Sequence, residues 1–184
     1  SGSKKDALEI YATVAPILQK FDFGFLVTHP SHLGLQDDQL FIPLLMQAVQ
    51  NNIEKEWTIK LLKKLNLDSL DFHPGYSLKI RCLGPFEVWR GSDLINSKEW
   101  QREKARQLFQ FFLNNRGKWF TREQIADRLW PSAEADTAIQ NLKVAFNALN
   151  RALEPDRPAG KNPFFITRRE NMYGLNPAAS IQMD

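Results

Sequence analysis

Between Asp136 and Pro155 the chain runs D-T-A-I-Q-N-L-K-V-A-F-N-A-L-N-R-A-L-E-P, and this stretch narrows the fold more than any other. Ile139, Leu142, Phe146, Leu149 and Leu153 recur at steps of three and four, which puts all five on one face of a 3.6-period helix. Asp136 is placed to cap its start and Pro155 to stop it. The other face carries Gln140, Asn141, Lys143, Asn147, Asn150 and Arg151. Amides and basic side chains can hydrogen-bond base edges in a major groove. A solvated face would use the same residue types, so the flanking sequence has to discriminate.

Upstream, Leu78-Lys79-Ile80-Arg81-Cys82-Leu83 alternates apolar and basic residues as a half-buried strand does, with Cys82 on the apolar side as a small core residue. Gly84-Pro85 turns the chain, Phe86 to Trp89 forms a second strand, and Arg90 to Asp93 turns again. Leu94-Ile95 and Lys98 to Trp100 read as short extended pieces that complete a small antiparallel platform. The period then changes. Gln101 to Asn114 places Ala105, Leu108, Phe109, Phe112 and Leu113 on one helical face. Thr121-Arg122-Glu123-Gln124 is a capping box opening a second helix, anchored by Ile125, Leu129 and Trp130 and closed by Pro131. A linker, Pro131 to Ala135, leads into the amphipathic stretch. Phe164 to Arg169, Glu170-Asn171 and Met172 to Leu175 form a closing hairpin with a basic flank. The tryptophans at 89, 100, 119 and 130 are expected in core or platform positions.

Charge is distributed unevenly. Residues 1–75 hold seven Lys/Arg against nine Asp/Glu, a net of −2, whereas residues 76–184 hold seventeen against twelve, a net of +5. Only the C-terminal part is suited to a polyanion. A lone cysteine excludes a disulfide framework, no apolar run is long enough for a membrane span, and a cytoplasmic protein is expected. Ser1-Gly2-Ser3 reads as a cloning-tag remnant, with residues 1–4 disordered, and the finish at Met183-Asp184 suggests a fragment of a longer protein.

Residues 5–75 read as mainly helical. Asp6 to Lys20 is a helix with Ile10, Val14, Ile17 and Leu18 on its apolar face. Phe21 to Thr28 is a strand or a buried extended connector. A second helix starts near Phe41 to Pro43, packs through Leu44, Leu45, Ala48 and Val49, and ends at Asn51-Asn52. A third, from Ile53 or Glu54 to Asn66, buries Trp57, Leu61, Leu62 and Leu65 and forms a hairpin with the second. His29 and His32 with Asp37 and Asp38 match no metal-ligand spacing, and Lys60, Lys63 and Lys64 fit a solvated face. No metal or other cofactor is expected. Asp71 to Gly75 marks a boundary, giving a helical region over 5–75 and a separate domain over 76–184.

The segment G-K-W-F-T-R-E-Q-I-A-D-R-L-W-P resembles the second helix of the OmpR/PhoB-type DNA-binding domain, and I-T-R-R-E-N-M-Y-G-L is similar to that family's wing. K-A-R-Q-L-F-Q-F-F-L and R-A-L-E-P look closer to the antibiotic regulatory protein (SARP) branch of bacterial activators. The resemblance covers about residues 78–176. It implies an α+β fold: a C-terminal winged helix-turn-helix with an N-terminal antiparallel β platform and a wing hairpin. It implies sequence-specific binding to double-stranded DNA in transcription regulation, with residues 136–153 as the recognition helix. Gln140, Lys143, Asn147 and Arg151 would contact bases. Thr121 and Arg122 would meet phosphates, and Arg168, Arg169 and Asn171 would act on the wing. Glu134 and Asp136, in the linker, could touch RNA polymerase, and residues 5–75 would be the tail of an upstream module in a larger regulator. The helix departs from the family in having few basic residues, with Ala145 and Ala148 at positions often polar or basic, and the wing has Met172 where glycine is usual. That keeps an alternative open, a winged-helix module that binds protein. No nucleophile motif, Gly-rich phosphate loop or acid/base pair suggests an enzyme.

Overall fold

A computed structural model describes residues 4–29 and 38–184, which divide into two compact units, Ser1–Ser77 and Leu78–Asp184. Residues 1–3, and His32 and Asp37 of the histidine–aspartate group, lie outside the described residues.

The first unit contains α1 (Lys4–Lys20), a 3-10 turn at Phe23–Val27, another at Asp38–Phe41, α2 (Ile42–Gln50) and α3 (Lys55–Lys64). The buried line on α1 is Tyr11, Ala15 and Leu18; of the expected apolar face only Leu18 is buried, while Ile10 is 64% exposed, Val14 38% and Ile17 52%. The rotation satisfies a buried polar pair. Tyr11 stacks on Trp57, and its hydroxyl lies 2.9 Å from Thr58 Oγ1, so the helix turns its phenol, not its isoleucines, toward α3. Phe21 to Thr28 is neither strand nor extended connector. Asp22 adopts a left-handed conformation after α1, and Gly24 lies so close to Leu61 that a Cβ would sit 2.9 Å from its Cδ2. The short helical turn that results buries Gly24 and Val27 and leaves Phe21, Phe23, Phe25 and Leu26 exposed. Pro43 occupies the first turn of α2, where a missing N–H costs nothing, and Ile42, Leu45 and Ala48 are its buried residues. Asn51 ends α2, its side-chain amide donating to the Gln47 carbonyl at 2.9 Å. α3 packs against α2 and buries Trp57, Thr58, Leu61 and Leu62, with Leu65 half-buried.

The second unit opens with β1 (Leu78–Arg81), β2 (Glu87–Arg90) and β3 (Asp93–Leu94), and β7 (Ile181–Met183) completes a four-stranded sheet in the order β3-β2-β1-β7. The platform is therefore not wholly antiparallel: β7 runs parallel to β1, with Leu78 opposite Ile181. Lys98 to Trp100 is a turn, not an extended piece. The Asn96 side chain accepts from the Lys98 and Glu99 N–H groups, and the Glu99 carboxylate returns to the Asn96 N–H and to Arg90. These bonds hold the carboxyl of Glu99 below its usual range, the Asn96 backbone contributing most. Cys82 is exposed, contrary to the core placement expected from alternation, because β1 ends at Arg81 and the Cys82 N–H turns to Asp184.

α4 (Glu103–Asn114) buries the five residues that periodicity selects, but starts after Gln101, whose φ of +58° breaks the helix. β4 (Phe120–Thr121), α5 (Arg122–Leu129), α6 (Ala135–Leu153) and the hairpin β5 (Ile166–Arg169) and β6 (Met172–Leu175) follow. α6 packs on both α4 and α5. The hairpin gains a third strand that the sequence does not announce, in the order β4-β6-β5, so the wing is sewn to the residues that open α5.

Candidate nucleic-acid interface

α6 turns Ala138, Leu142, Ala145, Ala148, Leu149, Ala152 and Leu153 into the core. Ala145 and Ala148 are therefore packing residues rather than lost contacts, and their small side chains leave the outward face undiminished. Ile139 and Phe146 are half-buried, and the Phe146 ring lies between Phe112 at 6.0 Å and Tyr173 at 4.8 Å. Asn150 is half-buried too and leaves the polar face.

Gln140, Lys143, Asn147 and Arg151 are all exposed. At 1.5 Å per residue they form a stripe about 16 Å long on the side opposite Leu142 and Leu149. Val144 joins them, 41% exposed, a residue that sequence reading passed over because apolar residues are assigned to the core by default. The N-cap is Glu134, not Asp136, and no side chain caps it, so Asp136 falls in the first turn. Both acids are exposed beside the positive end of the helix dipole.

The capping box of α5 is formed in full. Thr121 Oγ1 accepts from the Gln124 N–H at 3.3 Å, and Gln124 Oε1 accepts from the Thr121 N–H at 3.0 Å. Glu123 sits at the same terminus, its carboxyl held below the usual range by its own backbone N–H first and then by the Thr121 hydroxyl. Thr121 is thus engaged inside the protein, while Arg122 beside it is exposed. At the other end, Lys104 donates to the Leu129 carbonyl at 2.7 Å and lies over the Trp130 ring, tying α4 to the close of α5.

On the wing, Arg168 donates to Asn171 Oδ1 at 2.9 Å and to the Glu170 carbonyl, bringing two of the expected contact residues together across the turn. The Arg169 guanidinium lies 4.3 Å from the centre of the Trp119 ring. Gly174 is required by close approach, since a Cβ there would fall 2.9 Å from the Lys118 carbonyl oxygen.

Two further features escaped sequence reading. Glu154 is buried at the end of α6, and its Oε1 accepts from the N–H groups of Phe164 and Phe165 at 2.8 and 2.9 Å. Burial pushes its carboxyl up, against those two N–H groups and Arg157, whose Nε is 3.4 Å away. In the sequence it looks like part of a helix stop. The second is an open cleft of about 520 Å³ beside the C-terminal half of α6, lined by Gln101, Arg102, Val144, Asn147, Arg151 and Arg157 among others. Among the described residues, no group of three or more His, Cys, Asp or Glu could hold a metal, and no helix is long and apolar enough to cross a membrane.

Residues 100–173 match the family described as "Transcriptional regulatory protein, C terminal", the OmpR/PhoB-type DNA-binding domain. The match spans α4, α5, α6 and most of the wing but not β1–β3 or the first unit. This family is one of DNA-binding regulatory domains, not of enzymes, and it gives the second unit a general role in DNA binding by a transcriptional regulator. No curated protein and no solved structure matches the chain.

Proposed function

We propose that the chain binds specific sequences in double-stranded DNA and works as an activator in bacterial transcription, within the SARP branch. α6 lies in the major groove with Gln140, Lys143, Asn147 and Arg151 at base edges. The amides address adenine, and the cations address guanine or phosphate. The wing reaches the adjacent minor groove through Arg168, Arg169 and Asn171, while Arg122, with Thr121, meets phosphate at the start of α5. Glu134 and Asp136 meet RNA polymerase. Residues 5–75 are the tail of an upstream module in a larger cytoplasmic regulator. The observation that carries the reading is the exposed amide and basic stripe on α6, set opposite a face packed on α4 and α5.

The test is binding to genomic fragments, titrated with salt and repeated with Lys143→Ala and Asn147→Ala. Expected are tight binding to a few fragments, a steep salt dependence, and a slope lowered by about one on losing Lys143 if it meets phosphate. Weak binding to every sequence, unchanged in both variants, would overturn the assignment of α6 as the reader.

A further inference from the structure

We infer that Val144 reads the 5-methyl group of a thymine; the inference rests on α6 being the major-groove element. Among the described residues of α6, Val144 is the one large apolar side chain that is exposed. It lies two residues from Leu142, about 200° round the helix from that core position. Its neighbours in the sequence and on the exposed face are Lys143, Gln140 and Asn147. A β-branched valine is a poor choice for a merely solvated helix face, where Ala, Lys or Gln form helix better and lose no apolar hydration. Its position has a use if the face meets DNA.

The amides and cations around it can distinguish donors from acceptors. The thymine methyl is the one apolar mark in the major groove, and an isopropyl group is the chemistry that detects it. Val144 also lines the cleft with Gln101, Arg102 and Arg151. A base edge lying against Val144 would therefore have cations on hand for the phosphates flanking it.

The experiment uses the full chain. Duplexes are selected from a random pool, and each thymine of the enriched sequence is replaced in turn by deoxyuridine, which removes the methyl and keeps the pairing. For the wild type, one or two positions should weaken binding roughly fourfold, the effect of one methyl withdrawn from burial. Val144→Ala should bind the enriched duplex more weakly and be indifferent to deoxyuridine there, while Val144→Thr, which keeps a methyl, should remain sensitive. Enrichment of a sequence without thymine, no sensitive position in the wild type, or equal sensitivity in Val144→Ala would each overturn the inference alone. No enrichment of any sequence would instead remove the reading of α6 itself, and this inference with it.

Discussion

Acid should loosen the first unit through one residue, His73. Its ring is buried, its Nδ1 accepts from the Gly75 N–H at 2.9 Å, and its Nε2 lies 3.1 Å from the Gln39 side-chain oxygen. An Nδ1 that accepts carries no proton, so the ring is the neutral Nε2–H tautomer, donating to Gln39. Burial pushes its pKa from 6.5 down to about 3. The folded state thus holds off a proton that the unfolded chain takes up. The contribution is complete above pH 6.5, is lost as pH falls from there, and is spent near pH 3. At pH 4, some 2.5 units below the unfolded value and still above the folded one, the loss is about 3 kcal/mol. Hydrogen exchange of the α2 and α3 amides, corrected for intrinsic rates, reads it directly. Opening free energies should fall by that amount between pH 7 and pH 4 in the wild type, beyond the loss in His73→Gln. Equal losses in both proteins, or an imidazole that titrates near 6 by NMR, would refute the reasoning.

Substitutions at three positions probe the second unit. Thr121→Ala removes the cap of α5 and should cost about 1 kcal/mol in denaturant unfolding, with Thr121→Ser restoring most of it. Glu154→Ala strands the N–H groups of Phe164 and Phe165 in the core and should cost about 2–4 kcal/mol, whereas Glu154→Gln, which keeps an acceptor, should cost less; a thermal melt orders the two. Gly174→Ala forces β6 off the Lys118 carbonyl and should cost about 1–3 kcal/mol and shift the Trp119 amide in an NMR spectrum, where an unshifted spectrum would show the contact to be slack.

Local patterns made much of this fold readable. The capping box at Thr121, the α4 core face and the 170–171 turn are each written within a few residues, so hydrogen-bonding geometry and periodicity expose them. What escaped was non-local. β7 pairs with β1 across the whole second unit, and two residues at Phe120 become a strand only because β6 lies beside them. α1 misled because its isoleucines outweigh Tyr11 in any hydropathy count, although the Tyr11–Thr58 hydroxyl pair decides the rotation. Alanine misled in the opposite sense. Ala145 and Ala148 score as neutral, yet a helix packed closely on two others needs small side chains at the contact.

Those alanines bear on how the helix and the wing could act together. α6 is seated on α4 and α5 through a buried face in which alanines alternate with Leu142, Leu149 and Leu153, so small rotations about its axis meet close-packed neighbours. Its mid-point is joined to β6 by the Phe146–Tyr173 contact, and the carboxylate of Glu154, just past its end, holds the Phe164 and Phe165 N–H groups that lead into β5. β6 is joined in turn to β4, which runs directly into α5. These links close a loop from helix to wing and back to the helix-turn-helix. Breaking the link at Glu154 should therefore alter wing and helix together, whereas trimming an exposed side chain such as Lys143 should alter contact without moving either. On the proposed reading, Glu154→Ala, which removes the acceptor, would change affinity for all selected duplexes in common, and Lys143→Ala would change it according to sequence or salt. A folded Glu154→Ala protein that favours a different duplex sequence would break this division between framework and reader.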